Sequence, residues 1–508
     1  MKLGIIFGLL LCVASLAAST ACVPCCPGTS GIPIADCASA CGACPSNKGC
    51  HDDGGSHSYF KPRQITPNNM LLDNLAMYWW YHDVLCESDN TWYMLHVSPF
   101  YQRSTHGKEI ANYFLPCKQS CVSVKEDGSG DIGSLWLNLI AGDDELFDAC
   151  LCLRPERSVA GAYINMRFDL SRYICHGWLD IAFAVMKAKH NLNMCVQNNG
   201  GLGTACDVST LCDALQQPDW CYGKFCPNSL STNGVDDVQI RFGYDWFYCD
   251  TNHISPYMVG IVPTGNRSCA DYVFEPTVGS KHGSIGLGVI GDVHVAYCGD
   301  AELTFLTDFK YRYVLGAHEK RSFDLCNNGD WSRYLLVVKE DERDNPLPGI
   351  NVFTQDVRVT PRSTVDWWLA LHYQKCQLNV EVGYDFWWRA QELVQLCCFA
   401  QGLGIYDMVG SCAINAVSAS NAEICQSVPS ANQPSSDVSF VPLTCDDLNL
   451  NSGATPKTLS NTLYAAVGYD AEFGCSPAFI GAGASYEFGR DCTALSNWTV
   501  WFTCAFSY

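Results

Sequence analysis

From Ser284 to Val314 the chain keeps a two-residue rhythm. Ile285, Leu287, Val289, Gly291, Val293, Val295 and Tyr297 alternate with Ser284, Gly286, Gly288, Ile290, Asp292, His294 and Ala296. After Cys298-Gly299-Asp300 the rhythm restarts with Leu303, Phe305, Thr307, Phe309, Tyr311 and Tyr313 against Glu302, Thr304, Leu306, Asp308, Lys310 and Arg312. A period of two sends the two sets to opposite faces of a β-strand. A tight turn then pairs two such strands antiparallel. The pattern recurs at Val365–Tyr373 and Leu378–Trp388. These runs exceed the ~5–6 residues usual for a strand of a soluble sheet. They match the ~9–11 residues of a tilted strand that crosses a bilayer with one lipid face and one wet face.

Similar texture fills most of the chain. Leu75, Met77, Trp79 and Tyr81 share one face of an expected strand that begins near Asp73. Tyr93–Tyr101 and a short Leu135–Leu139 strand follow. Ala162–Leu170, Leu179–Val185, Val238–Tyr248 and Ile254–Val262 continue the alternation. Leu463–Tyr469, Ala478–Phe488 and Trp498–Tyr508 close the chain. Two Cys-rich polar insertions, 194–233 and 392–458, interrupt it. The expected fold is all-β: an antiparallel up-and-down transmembrane barrel of about 14 strands, within 12–16, with long disulfide-rich loops. A soluble sandwich would break its strands with turns every ~8–12 residues, and here the strands run on.

The first residues add a compartment. Met1-Lys2, an apolar run from Leu3 to Leu16, and small residues at 17–21 read as a signal peptide over 1–21. Residues 22–60 form a Cys-rich N-terminal segment with Cys22, Cys25, Cys26, Cys37, Cys41, Cys44 and Cys50, and 61–508 hold the barrel. Cys22 as an acylated lipoprotein cysteine is the weaker alternative, because Ser19 stands where an apolar residue is expected. Cys41-Gly-Ala-Cys44 reads as part of a disulfide knot; a zinc knuckle would want paired CxxC units at finger-like spacing. His51-Asp52-Asp53 and His57 read as a solvated loop before a metal site. The chain has 32 Cys, and an exported chain so rich in Cys implies disulfides. Loss of Cys12 with the signal leaves an odd number, so one is open to a second chain.

A net charge of −21 argues against nucleic acid as a partner. The 14 Trp and 24 Tyr suit the boundaries where membrane meets water. Candidate girdle residues are Tyr244, Tyr311, Tyr313, Tyr384, Tyr469, Trp498 and Tyr508. Three of the strands share an echo: Phe242-Gly-Tyr-Asp245, Val382-Gly-Tyr-Asp385 and Val467-Gly-Tyr-Asp470. The opposite faces put Asp180, Asp292, Glu302, Asp308, Lys310, Arg312, Asp366, Glu381 and Asp385 in the lumen as candidate pore-lining residues. Acids lead there, which predicts mild cation preference if the lumen is open; the alternative is that the charges pair and plug it. No nucleophile elbow, Walker loop, HExxH or dinucleotide fingerprint occurs in a fitting context. The sequence therefore points to no catalytic, metal or cofactor site and to a protein that is not an enzyme.

Pro263-Thr-Gly-Asn-Arg267, Phe274-Glu-Pro276, Lys320-Arg-Ser-Phe-Asp-Leu-Cys326 and Gly383-Tyr-Asp-Phe-Trp-Trp-Arg389 carry a resemblance. Over Gln239 to Glu392 the chain resembles large, poorly characterised porin-like outer-membrane β-barrel proteins of intracellular Gram-negative bacteria living in protist hosts. The resemblance implies location in the cell outer membrane and barrel architecture, and it assigns no catalytic residues. The expected partners are outer-membrane lipid, small ions or solutes, and self through inter-chain disulfides. The leading expectation is a porin-like barrel with disulfide-stapled surface loops. A structural or adhesive surface protein on the same fold is the second, and a soluble secreted Cys-rich β protein the third.

Overall fold

The computed structural model describes residues 56–508 apart from 86–90, 142–144, 202, 204–207, 250–251, 397–398, 400, 407–421, 427–439, 475 and 490. The signal peptide and the seven cysteines of the Cys-rich N-terminal segment lie outside the described residues.

Twelve long strands form one closed wall. In chain order they are β1 (Tyr93–Thr105), β2 (Glu156–Asp169), β3 (Gly177–Asn191), β4 (Val238–Tyr244), β5 (Asn252–Val262), β6 (Ser284–Cys298), β7 (Ala301–Val314), β8 (Arg362–Lys375), β9 (Leu378–Arg389), β10 (Thr458–Phe473), β11 (Ser476–Gly489) and β12 (Ser496–Ser507). Each pairs antiparallel with the next, and β12 returns to β1 from Met94↔Ser507 to Thr105↔Ser496. Closure leaves no free sheet edge. The short strand Leu230–Val235 lengthens the wall beside β3. The wall therefore has 12 strands, at the lower bound of the expected 12–16 and two below its central value of about 14.

The two ends differ. At one end the strands are joined by short turns, such as Gly299-Asp300 between β6 and β7 and Cys376-Gln377 between β8 and β9. At the other, five of the six connections are long: 106–155, 192–237, 263–283, 315–361 and 390–457. These fold over the mouth as a cap with its own apolar core, including Phe114, Val124, Leu151, Phe225, Trp331, Ile350 and Val357. The cap also holds small sheets, one of them ordered Ile132–Gly133, Cys121–Lys125, Asp148–Cys152, Cys195–Asn198. A Cys121–Cys152 disulfide ties its two central strands. Cys117 and Cys326 are disulfide-bonded as well. Both predicted insertions fall at this end. Leu135–Leu139 is no strand: Ser134–Leu137 is a 3-10 turn in the cap, with the Ser134 hydroxyl donating to the Leu139 carbonyl at 2.6 Å.

The largest departure from expectation lies inside. Leu75, Met77, Trp79 and Tyr81 do not belong to a wall strand. Met70–Leu72 is a 3-10 turn, Asn74–Trp79 an α-helix (α1), and Trp80–Val84 a π-helical turn, all within the barrel. The physical reason is that the stretch is apolar on every side. Leu75, Ala76, Met77, Tyr78, Trp79 and Trp80 are all buried, and a helix that is hydrophobic all round is a buried one. The wall makes room with small inward residues, Ala182, Ala184, Ala370, Ala466 and Ala505. The Trp79 ring packs against Phe479 at 5.5 Å between centroids.

Candidate functional site: the occupied lumen

The chain enters the lumen from the cap. The Ser56 hydroxyl donates to Asp324 Oδ2 at 2.8 Å, and Lys61 Nζ meets Glu392 at 3.3 Å. His57 stacks on Tyr113 at 4.6 Å, so it is packed against the cap and not in a solvated loop. From there the segment descends to Leu85 at the turn end, where β1 begins. It thus runs the length of the barrel, and polar groups of the wall grip it at three levels.

Nearest the cap, Arg63 Nη2 lies 2.5 Å from Asp385 Oδ2 and 4.0 Å from Asp366 Oδ1, and Nη1 lies 3.4 Å from Glu487. Arg312 reaches Asp366 at 3.4 Å and donates to the Asn68 side chain. Lys310 donates to the Pro67 carbonyl at 2.7 Å. At mid-height Arg241 of β4 joins Asp180 at 2.6 Å, Asp73 of the internal segment at 3.0 Å, and Asp308 at 3.7 Å. The Tyr257 and Tyr163 hydroxyls donate to Asp308 and Asp73 at 2.6 and 3.0 Å. Nearest the turns, His253 sits 2.9 Å from Asp292 and 3.0 Å from Asp245, and His82 of the internal segment is 3.4 Å from the same Asp292. The Tyr78 ring packs at a tilt against both His82 and His372, with centroids 4.4 and 4.3 Å away, and His372 pairs with Glu381 at 3.4 Å. His294 and Glu302 pair at 3.0 Å beside the open end.

All nine candidate pore-lining residues thus face inward, but they bind protein where an open channel would offer them water. Buried charges need partners, and each has one. Asp180, Asp308, Asp366 and Asp385 are paired with Arg63, Arg241 and Arg312, and Asp292, Glu302 and Glu381 lie against histidines, so in this conformation these acids are engaged within the protein. Arg241 falls on the polar side of the expected Val238–Tyr248 strand but carried no assigned role, and sequence reasoning missed Arg63 and Asp73. Arg63 stood outside any alternating run, so nothing marked it as a residue of the lumen.

The outer surface is of opposite character. Toward the cap, Tyr101, Tyr311, Tyr313, Trp388 and Trp498 point outward. Toward the turns, Tyr93, Tyr244, Tyr297, Tyr373, Tyr469 and Tyr508 do so. Tyr384 lies between the two rings, at mid-wall, with its hydroxyl donating to Asn461. Between the rings no Asp, Glu, Lys or Arg points outward among the described residues. The surface there is mainly Ile, Leu, Val, Phe, Met and Ala, with Trp367 45%, Leu287 62% and Met258 63% exposed. Arg103, Lys187 and Lys189 mark the cap edge of this belt. The interior echo is also explained. In each Gly-Tyr-Asp the Gly and Asp face inward and the Tyr outward. Gly243, Gly383 and Gly468 each lie under an inward ring of the neighbouring strand: Trp178, Tyr464 and Phe479.

The class these features define is a closed 12-stranded antiparallel barrel with an apolar exterior, a capped mouth and an internal segment. Solved structures similar in fold include an outer membrane channel from Pseudomonas putida F1, at 8% identity over 83% of this chain and 97% of that one, with a TM-score of 0.35. The CymD monoaromatic hydrocarbon channel shows 7% identity over 88% and 94%, with a TM-score of 0.27. A FadL homologue of Pseudomonas aeruginosa shows 7% over 90% and 98%, with a TM-score of 0.26. No protein-family model matches the chain, and no curated protein matches it in sequence.

Proposed function

We propose that the protein is an outer-membrane barrel that passes small solutes and is held closed here by its own residues 61–85. The observation that carries this reading is the uncharged outward belt between two aromatic rings. In water such a surface would be a contiguous exposed apolar patch far larger than the few hundred Å² typical of soluble monomers. In a bilayer it is the lipid-facing band of a transmembrane barrel. The polar interior and the asymmetry of short turns against long loops fit the same account, with the cap on the outer side. The large core of the cap supports a second use of that face, as a disulfide-stapled surface protein exposed to other molecules.

Refolding into lipid vesicles tests the location. The account expects protein that resists alkaline extraction and migrates differently on gels before and after boiling. A chain that stays monomeric and soluble without detergent would overturn it. Vesicle swelling in small sugars and amino acids, expected for the chain lacking residues 61–84 and weak for the intact chain, then reports whether solutes pass.

A further inference from the structure

The end of the barrel away from the cap holds a cavity of about 170 Å³ that the closed-lumen account does not use. It lies between the internal segment and β2–β4. Its walls include Trp80, Tyr81, Arg167, His176, Trp178 and Asp245. A smaller space of about 60 Å³, lined in part by Tyr81 and Arg167 too, continues from it toward His253 and Asp292.

Arg167 is the unexplained group. It is 3% exposed, and a buried guanidinium ordinarily has a carboxylate partner. Among the described residues Arg167 has no ion pair within 4 Å. Its hydrogen-bonding contact is a long one, from Nη1 to Met77 Sδ at 4.0 Å, and its Nε is unpartnered. The carboxylates nearby have other partners, none within 4 Å of Arg167. Asp180, directly across the β2–β3 pair, gives its Oδ2 to Arg241 at 2.6 Å, and only its Oδ1 is left without a hydrogen bond. Asp245 accepts from His253 and from the Trp178 indole. Asp169 accepts from the Ser171 backbone and hydroxyl. What holds the guanidinium in place is aromatic: it lies 3.9 Å over the Trp178 ring and 5.6 Å from that of Trp80. The Trp80 indole Nε1 is also buried without a partner.

We infer that this cavity is a binding site for a compact monocarboxylate with a planar apolar body. The fork of Arg167 would take the carboxylate, since guanidinium and carboxylate match in shape and charge. The indole N–H supplies a further donor. Trp80, Trp178 and Tyr81 would flank the apolar part. The volume suits a six-membered ring, as an apolar cavity of ~150 Å³ holds benzene. The site stands whether or not the barrel conducts, because it needs only the closed structure.

Titration of the detergent-solubilised full chain with benzoate, benzamide and inorganic phosphate tests it, read by calorimetry and tryptophan fluorescence. The expected result is saturable binding of one benzoate at millimolar concentration or below, with benzamide and phosphate at least tenfold weaker. Arg167→Met should weaken benzoate at least tenfold while keeping the heat-dependent gel shift. Arg167→Lys, which keeps the charge and loses the planar fork, should fall between. The inference is overturned if benzoate shows no saturable binding, if benzamide or phosphate binds as well as benzoate, or if Arg167→Met binds it unchanged. Should Arg167→Met fail to fold, the comparison of benzoate with benzamide on the native chain still decides. Failure here would leave the vesicle tests of the barrel untouched.

Discussion

His57 stands where the internal segment meets the cap, outside the belt. Burial, helped by the positive charge of Arg333, lowers its pKa from 6.5 to about 4. The native state therefore keeps it neutral while the unfolded chain takes a proton below pH 6.5. Fewer protons on the native side mean that stability falls as pH drops from 6.5 toward 4. His57 keeps some solvent contact, so the loss is on the order of 2 kcal/mol. His57→Gln should show a smaller drop in melting temperature between pH 7 and pH 4.5 than the native protein; an equal drop would refute this role. Arg63 acts by charge pairing. Arg63→Met leaves Asp385, Asp366 and Glu487 short of a cation, which should cost about 3–5 kcal/mol. Urea unfolding in vesicles checks this, and a change near zero would mean that the acids are satisfied without it. The sequence showed that Asp366 and Asp385 face inward, because alternation marks a side of a strand. It could not show what they meet, because Arg63 lies hundreds of residues away and carries no periodic signal.

At the scale of elements, alternation made the wall legible because each strand has one apolar and one polar face. Leu75–Tyr81 misled for a related reason. A run apolar at nearly every position also satisfies period two, and burial on all sides then favours helix. The extra strands expected beyond 12 came from such runs, Leu75–Tyr81 and Leu135–Leu139. The Gly-Tyr-Asp echo reported real construction: a glycine that leaves space for an inward ring from the next strand. A Cβ on Gly468 would lie 2.1 Å from the Phe479 ring. Gly468→Val should thus destabilise by about 1–3 kcal/mol through overpacking. Phe479→Leu in the same chain should return part of that, measured by the temperature at which the gel shift is lost. If the double variant is weaker than the sum of the singles, the ring and the glycine are not coupled as the geometry indicates.

The whole molecule divides into a wall that faces lipid in this account, a packed interior and a cap. Composition and strand length indicated the wall, and the insertions marked the cap. The plug was hidden because its residues read as more wall. If the belt faces lipid, charge should cost most at mid-depth. Met258→Lys, in the middle of β5, should cost about 2–4 kcal/mol, and Ser158→Lys at the cap edge about 0–1. Equal costs in vesicle unfolding would argue against a bilayer around this belt.

The closed lumen itself is tested by conductance. In a planar bilayer the intact chain should stay mostly silent, because Trp79, Trp80 and their neighbours fill the bore and each large side chain adds about 1.5–3 kcal/mol of burial to keep it filled. The same chain lacking residues 61–84 should show steady, long-lived openings. Openings of equal size and frequency from the intact chain would contradict the account.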